Sequence, residues 1–231
     1  MRFKLPIVIL LLSVVALCGL NAQKIMLEGG YFNPKRLGKS TSETYFDAVR
    51  IGASTDFDLK YNFAVQTGLY YNIGYSNKVQ SYESVFDSII YRSWSHAVEV
   101  PLRLVYYQPL FKDFKIFGFL GPNFQIGLIQ NQKTISYLND PSVYPHIISG
   151  KSSMYKPDDN RIGLKSGLHR INFQLGAGGG VQWRQFMLKG GYDWGINNLD
   201  KSKIDYVRQG NWYVSFRSEE HTSELQSQNA I

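Results

Sequence analysis

The chain has 231 residues, a single cysteine, a formal charge of +7, 44% hydrophobic residues and 15% aromatic ones. The aromatic load excludes a disordered chain, and one cysteine excludes a disulfide scaffold. Basic residues are scattered without a dense run, which argues against nucleic acid as a partner, and no stretch beyond the N-terminus is apolar over the ~18 residues of a membrane helix.

Residues 1–22 read as a secretory signal. Arg2 and Lys4 form a positive leader, Pro6 to Leu17 is almost wholly apolar, and cleavage is expected between Ala22 and Gln23. The apolar run is too short for a membrane anchor. Cys18 invites a lipoprotein reading, but Leu17 stands where a small residue is needed. If Cys18 leaves with the signal, the exported chain has no thiol.

After Gln23 the period is two. Val98, Val100, Leu102 and Leu104 fall on one face of their segment, and Glu99, Pro101 and Arg103 on the other. Between Arg170 and Trp183, Ile171, Phe173, Leu175, Ala177, Val181 and Trp183 alternate with polar residues or glycine. Such segments are far longer than the ~5–6 residues of globular strands. The pattern predicts eight strands, at 24–33, 47–58, 61–75, 92–108, 114–130, 167–183, 185–196 and 210–216.

Short links near Asp58–Asn62, Gln108–Asp113 and Arg184–Gln185 alternate with long polar ones near Pro34–Phe46, Ser76–Tyr91, Asn131–Ser166 and Asn197–Gln209. That alternation belongs to an all-β fold, an eight-stranded antiparallel transmembrane barrel of the outer-membrane type. Strands of ~9–11 residues span a bilayer with every backbone group paired. The longest link, Asn131–Ser166, is expected to be an extracellular loop.

The inner face is predicted to carry Glu28, Arg50, Asp56, Glu99, Arg103, Lys189 and Asp193. An eight-stranded barrel is just wide enough for side chains to fill it, so these charges are expected to pair with one another. Tyr31, Phe57, Tyr71, Tyr106, Trp183, Trp194 and Trp212 fall on the outer face near strand ends, where aromatic girdles belong.

The segments HAVEVPLRLVYY (His96–Tyr107), FGFLGPNFQI (Phe117–Ile126) and LGAGGGVQWRQFMLKGGYDWGINN (Leu175–Asn198) resemble strands of PorT-like outer-membrane β-barrel proteins of the Bacteroidetes group. The resemblance covers most of residues 24–216. It implies a small barrel in the outer membrane and no particular reaction, although one relative takes part in protein secretion.

Residues 217–227, RSEEHTSELQS, resemble a translated sequencing-library adapter. The aromatic alternation ends at Phe216. The last strand is therefore expected to be truncated there, with residues 217–231 a disordered, non-native tail that packs against nothing.

Ser95, His96 and Glu99 supply the ingredients of a hydrolase, but neighbouring strand residues point to opposite faces. His146 and His169 lack the companions of a metal site. Asp158, Asp159 and Asn160 lack the spacing of a calcium loop. Gly176, Gly178, Gly179 and Gly180 precede no helix and no lysine-serine pair, so they relieve crowding on a curved strand rather than cradle phosphate.

The sequence thus points to a non-enzymatic outer-membrane barrel with no catalytic residues, cofactor or metal, anchoring or binding through its extracellular loops, with a link to secretion as the expectation the resemblance adds. The alternatives are a barrel enzyme acting on membrane lipid and a narrow channel. Expected partners are outer-membrane lipids and lipopolysaccharide, the barrel-assembly machinery during insertion, and an envelope protein, with no nucleic acid.

Overall fold

A computed structural model describes residues 25–38, 44–81, 86–138, 147–156, 167–201 and 206–219. The strands are β1 (Ile25–Leu37), β2 (Thr44–Tyr45), β3 (Asp47–Asp58), β4 (Phe63–Ser81), β5 (Phe86–Phe111), β6 (Phe114–Leu138), β7 (Ile147–Ser153), β8 (Ile171–Trp183), β9 (Phe186–Gly195) and β10 (Arg208–Glu219). Eight of them form an antiparallel ring, β1-β3-β4-β5-β6-β8-β9-β10, which β10 closes by pairing with β1. Strand registers advance by about ten residues in one circuit, the stagger that tilts strands into a closed barrel.

The short links lie at one rim. At the β3–β4 turn, Tyr61 and Asn62 take φ of 62° and 64°, the paired left-handed conformation whose twist suits a tight hairpin. β5 meets β6 through Lys112 and Asp113, and β8 meets β9 through Arg184 and Gln185. The long links lie at the opposite rim.

Alternation along each strand separates lumen from lipid. In β8 the polar Asn172 and Gln174 are buried while Ile171, Phe173 and Leu175 are exposed. The same inversion of a soluble protein's pattern recurs in β1, β5, β9 and β10. Only a solvent of hydrocarbon outside makes it favourable. The outward aromatics pair across strands near the two rims, with Tyr31 and Trp212 ring centroids 5.2 Å apart, Phe63 and Tyr106 5.0 Å, and Phe186 and Phe216 5.6 Å.

Three expectations are corrected. The link at Ser76–Tyr91 is largely strand, and within Asn131–Ser166 the segments 131–138 and Ile147–Ser153 are strand. β4 continues to Ser81, β5 starts at Phe86, and β6 runs to Leu138 and pairs with β7. These 26 and 25 residues of β5 and β6 far exceed a ~9–11-residue span. Outside the bilayer neither face needs to be apolar, so the period-two signal fades while the hydrogen-bonded ladder continues.

The third correction concerns the last strand. It does not stop at Phe216: β10 has 12 residues and pairs with β1 and β9 beyond that point. Arg217 therefore belongs to the barrel and is not part of an unpacked tail. Its parity is inward, so its charge meets the lumen instead of lipid. Residues 220–231, and with them most of the suspected tail, lie outside the described residues, as does the signal segment 1–22.

Candidate functional site

Position on the inward face brings every predicted interior charge into the lumen. Glu28, Arg50, Glu99, Arg103, Lys189 and Asp193 are buried, and Asp56 is nearly so. Register then selects partners. Arg50 meets Glu99 at 3.3 Å, Lys189 meets Glu28 at 2.6 Å, Arg103 pairs with Asp193, and Arg217 meets Asp56 at 2.8 Å.

Uncharged groups link these pairs along the barrel axis. Near the short-turn rim, Tyr107 donates to Asp56 Oδ2 at 2.5 Å and Gln66 Nε2 to Asp56 Oδ1 at 2.9 Å. Lys189 Nζ donates to Gln66 Oε1 at 3.3 Å, which joins that cluster to Glu28. Tyr70 donates to Glu28 Oε2 at 2.7 Å, and its ring lies 4.0 Å from the Arg50 guanidinium. Higher up, Gln125 Nε2 donates to Glu99 Oε1 at 3.0 Å and Asn123 Nδ2 to Asp193 Oδ2 at 3.1 Å. Gln209 Nε2 reaches Gln125 Oε1 at 2.8 Å.

Charge occupies only part of the lumen. Phe117, Phe119 and Tyr213 stack beside it, with successive centroids 6.4 and 6.5 Å apart. The glycines of β8 make this possible: a β-carbon on Gly178 would strike the Phe119 ring, and one on Gly180 the Phe117 ring. A second backbone device is Gly121, at φ 155°. Its carbonyl accepts Arg103 Nη1 at 2.5 Å, so a conformation that glycine alone adopts readily supplies an interior acceptor.

Among the described residues, paired side chains crowd the middle of the lumen, as the width of an eight-stranded barrel predicts. Polar inside, apolar outside and closed without an edge is the architecture that bilayers permit. Residues 12–201 match the family model described as outer membrane protein beta-barrel domain. The chain belongs to that outer-membrane β-barrel family.

Among solved structures the barrel is similar to Neisserial surface protein A, at 13% identity over 84% of this chain and 96% of that one, TM-score 0.41. It is similar to Ail, the attachment invasion locus protein of Yersinia pestis, at 11% identity over 85% and 98%, TM-score 0.34. It is also similar to the outer membrane enzyme PagL, at 12% identity over 82% and 98%, TM-score 0.38. Likeness at this level carries no functional argument. No curated protein matches.

The barrel keeps Ser95 and His96 apart. Ser95 shares the inward parity of Ser93 and Glu99, whereas His96 faces outward and its Nδ1 lies 2.8 Å from the Tyr71 hydroxyl. His169 is exposed. No group of three or more histidine, cysteine or acidic residues that could hold a metal occurs among the described residues. His146 and Asp158, Asp159 and Asn160 lie outside those residues.

Sequence reasoning missed Arg36 and Arg217. Both continue the inward parity of strands that were ended too early, β1 at residue 33 and β10 at 216. Counting the period two or four residues further would have found them.

Proposed function

We propose that this chain is a non-enzymatic, PorT-like outer-membrane barrel that binds or anchors an envelope partner through the strands raised above its outer rim. One observation carries the reading. The middle of the lumen is crowded with mutually paired charges, while β4, β5 and β6 continue well past the length of a span and β7 pairs with the extension of β6. A lumen crowded with paired side chains favours neither conduction nor an internal reaction centre, and the projecting ladder offers a surface to other molecules. The short-turn rim then faces the periplasm and the long strands the exterior.

Two measurements test this together. Purified full-length protein in planar bilayers should show no conductance steps. A variant in which residues 77–91 and 133–152 are each replaced by a tight turn should still insert, while losing the envelope crosslinks made by the full-length barrel. Regular conductance steps would establish a channel instead, and unchanged crosslinks in the trimmed variant would remove the raised strands from the function.

A further inference from the structure

Just beneath the outer mouth lies a cavity of about 30 Å³, bordered by Arg36, Asn72, Asn172 and Gln209, with Phe32 and Phe46 as apolar walls. Space on this scale takes one or two water-sized groups, not a whole metabolite. Tyr155 roofs it. That side chain is buried, its hydroxyl rests where a β-carbon on Gly127 would stand, and its carbonyl accepts Lys201 Nζ at 2.8 Å.

The chemistry of the lining is unbalanced. Deeper in the lumen Arg50, Arg103 and Arg217 each have a carboxylate. Arg36 has none among the described residues. It donates from Nε to Gln209 Oε1 at 2.9 Å and from Nη2 to Gln130 Oε1 at 2.7 Å. Those bonds use amide oxygens only, and a guanidinium has five N–H groups to give.

Asn72 adds an independent observation. It is 3% exposed, and neither its amide nitrogen nor its oxygen has a hydrogen-bond partner. Glu99 lies close to it, without a bond of acceptable geometry. Native interiors rarely leave buried amides unmatched, and such groups call for a partner.

We propose that the outer mouth binds the carboxylate of a small organic acid, with Arg36 supplying the opposite charge and Asn72 a buried donor. A flat, singly charged group with two oxygens suits both the volume and the single cation. Tetrahedral phosphate needs more room and more positive charge. The site is independent of the reading above, since a barrel with any role at its raised strands would keep this mouth.

The experiment is calorimetric titration of the full-length barrel, folded in detergent at constant ionic strength, with acetate and separately with inorganic phosphate. Acetate should bind saturably. Arg36→Gln and Asn72→Asp should each weaken it at least tenfold while circular dichroism and the heat-modifiable gel band stay unchanged. Absence of saturation with acetate, tighter binding of phosphate than of acetate, or wild-type affinity in a folded Arg36→Gln variant would each overturn the proposal. None of these results alters the conductance or crosslinking outcomes, so the two ideas fail separately.

Discussion

Lys189 and Glu28 join their charges at 2.6 Å although their strands, β9 and β1, are separated by the whole width of β10. The pair therefore braces the ring across the strand that closes it. Both side chains are buried, so their attraction is little weakened by water.

Glu28→Gln should destabilise the barrel by about 3–5 kcal/mol, because Lys189 would remain buried opposite a neutral group. The double variant Glu28→Leu with Lys189→Leu should recover most of that loss. Recovery stays incomplete because the Tyr70 hydroxyl, which donates to Glu28, loses its acceptor at a cost of about 1–3 kcal/mol. Unfolding midpoints in denaturant, measured on detergent-folded protein, check both values.

Gly176 lies against the Arg103–Asp193 pair, and a β-carbon there would collide with the carboxylate and guanidinium of both residues. Gly176→Ala should cost about 1–3 kcal/mol by overpacking. In a background carrying Asp193→Ala the same substitution should cost much less, since part of the obstruction is gone. Additive losses in this double-mutant cycle would show that the glycine serves the backbone and not the ion pair.

Leu120 is 60% exposed on the outward face of β6, paired with Leu104 on one side and Ala177 on the other. Leu120→Arg should cost about 2–4 kcal/mol as a charge at bilayer depth. Leu120→Phe should be tolerated. Folding equilibria in lipid vesicles separate the two, and equal stability would move this level out of the hydrocarbon.

Arg217 fills an interior position opposite Asp56. Arg217→Leu should destabilise the barrel by about 3–5 kcal/mol, because the Asp56 carboxylate would keep no cation beside it. Denaturant midpoints of detergent-folded protein check this, and an unchanged midpoint would show that the Tyr107 and Gln66 bonds alone satisfy Asp56.

Much of the barrel was legible because hydrocarbon imposes a strict rule on each strand. Ile171, Phe173 and Leu175 against Asn172 and Gln174 name both faces without knowledge of the neighbours. Ion partners were not legible, since Lys189 and Glu28 are 161 positions apart and meet only through the stagger of the closed ring. The β6–β7 ladder was hidden for the opposite reason: water on both sides permits any polarity, so Asn131–Tyr137 carries no alternating signal. Arg36 was lost to a boundary, because Pro34 suggested a link where β1 in fact continues.

Ring closure also has a meaning in time. Of the eight strands of the ring, Ile25–Leu37 leaves the ribosome before the others and Arg208–Glu219 after them, yet the two share a 12-residue ladder. No earlier intermediate can hide its backbone from lipid, however many hairpins have formed. The chain must reach the membrane essentially whole, carried across the periplasm in a form that keeps its greasy faces from one another. Insertion is thus bound to the arrival of β10, and a message cut short upstream of it leaves a polypeptide with no closed ring to form.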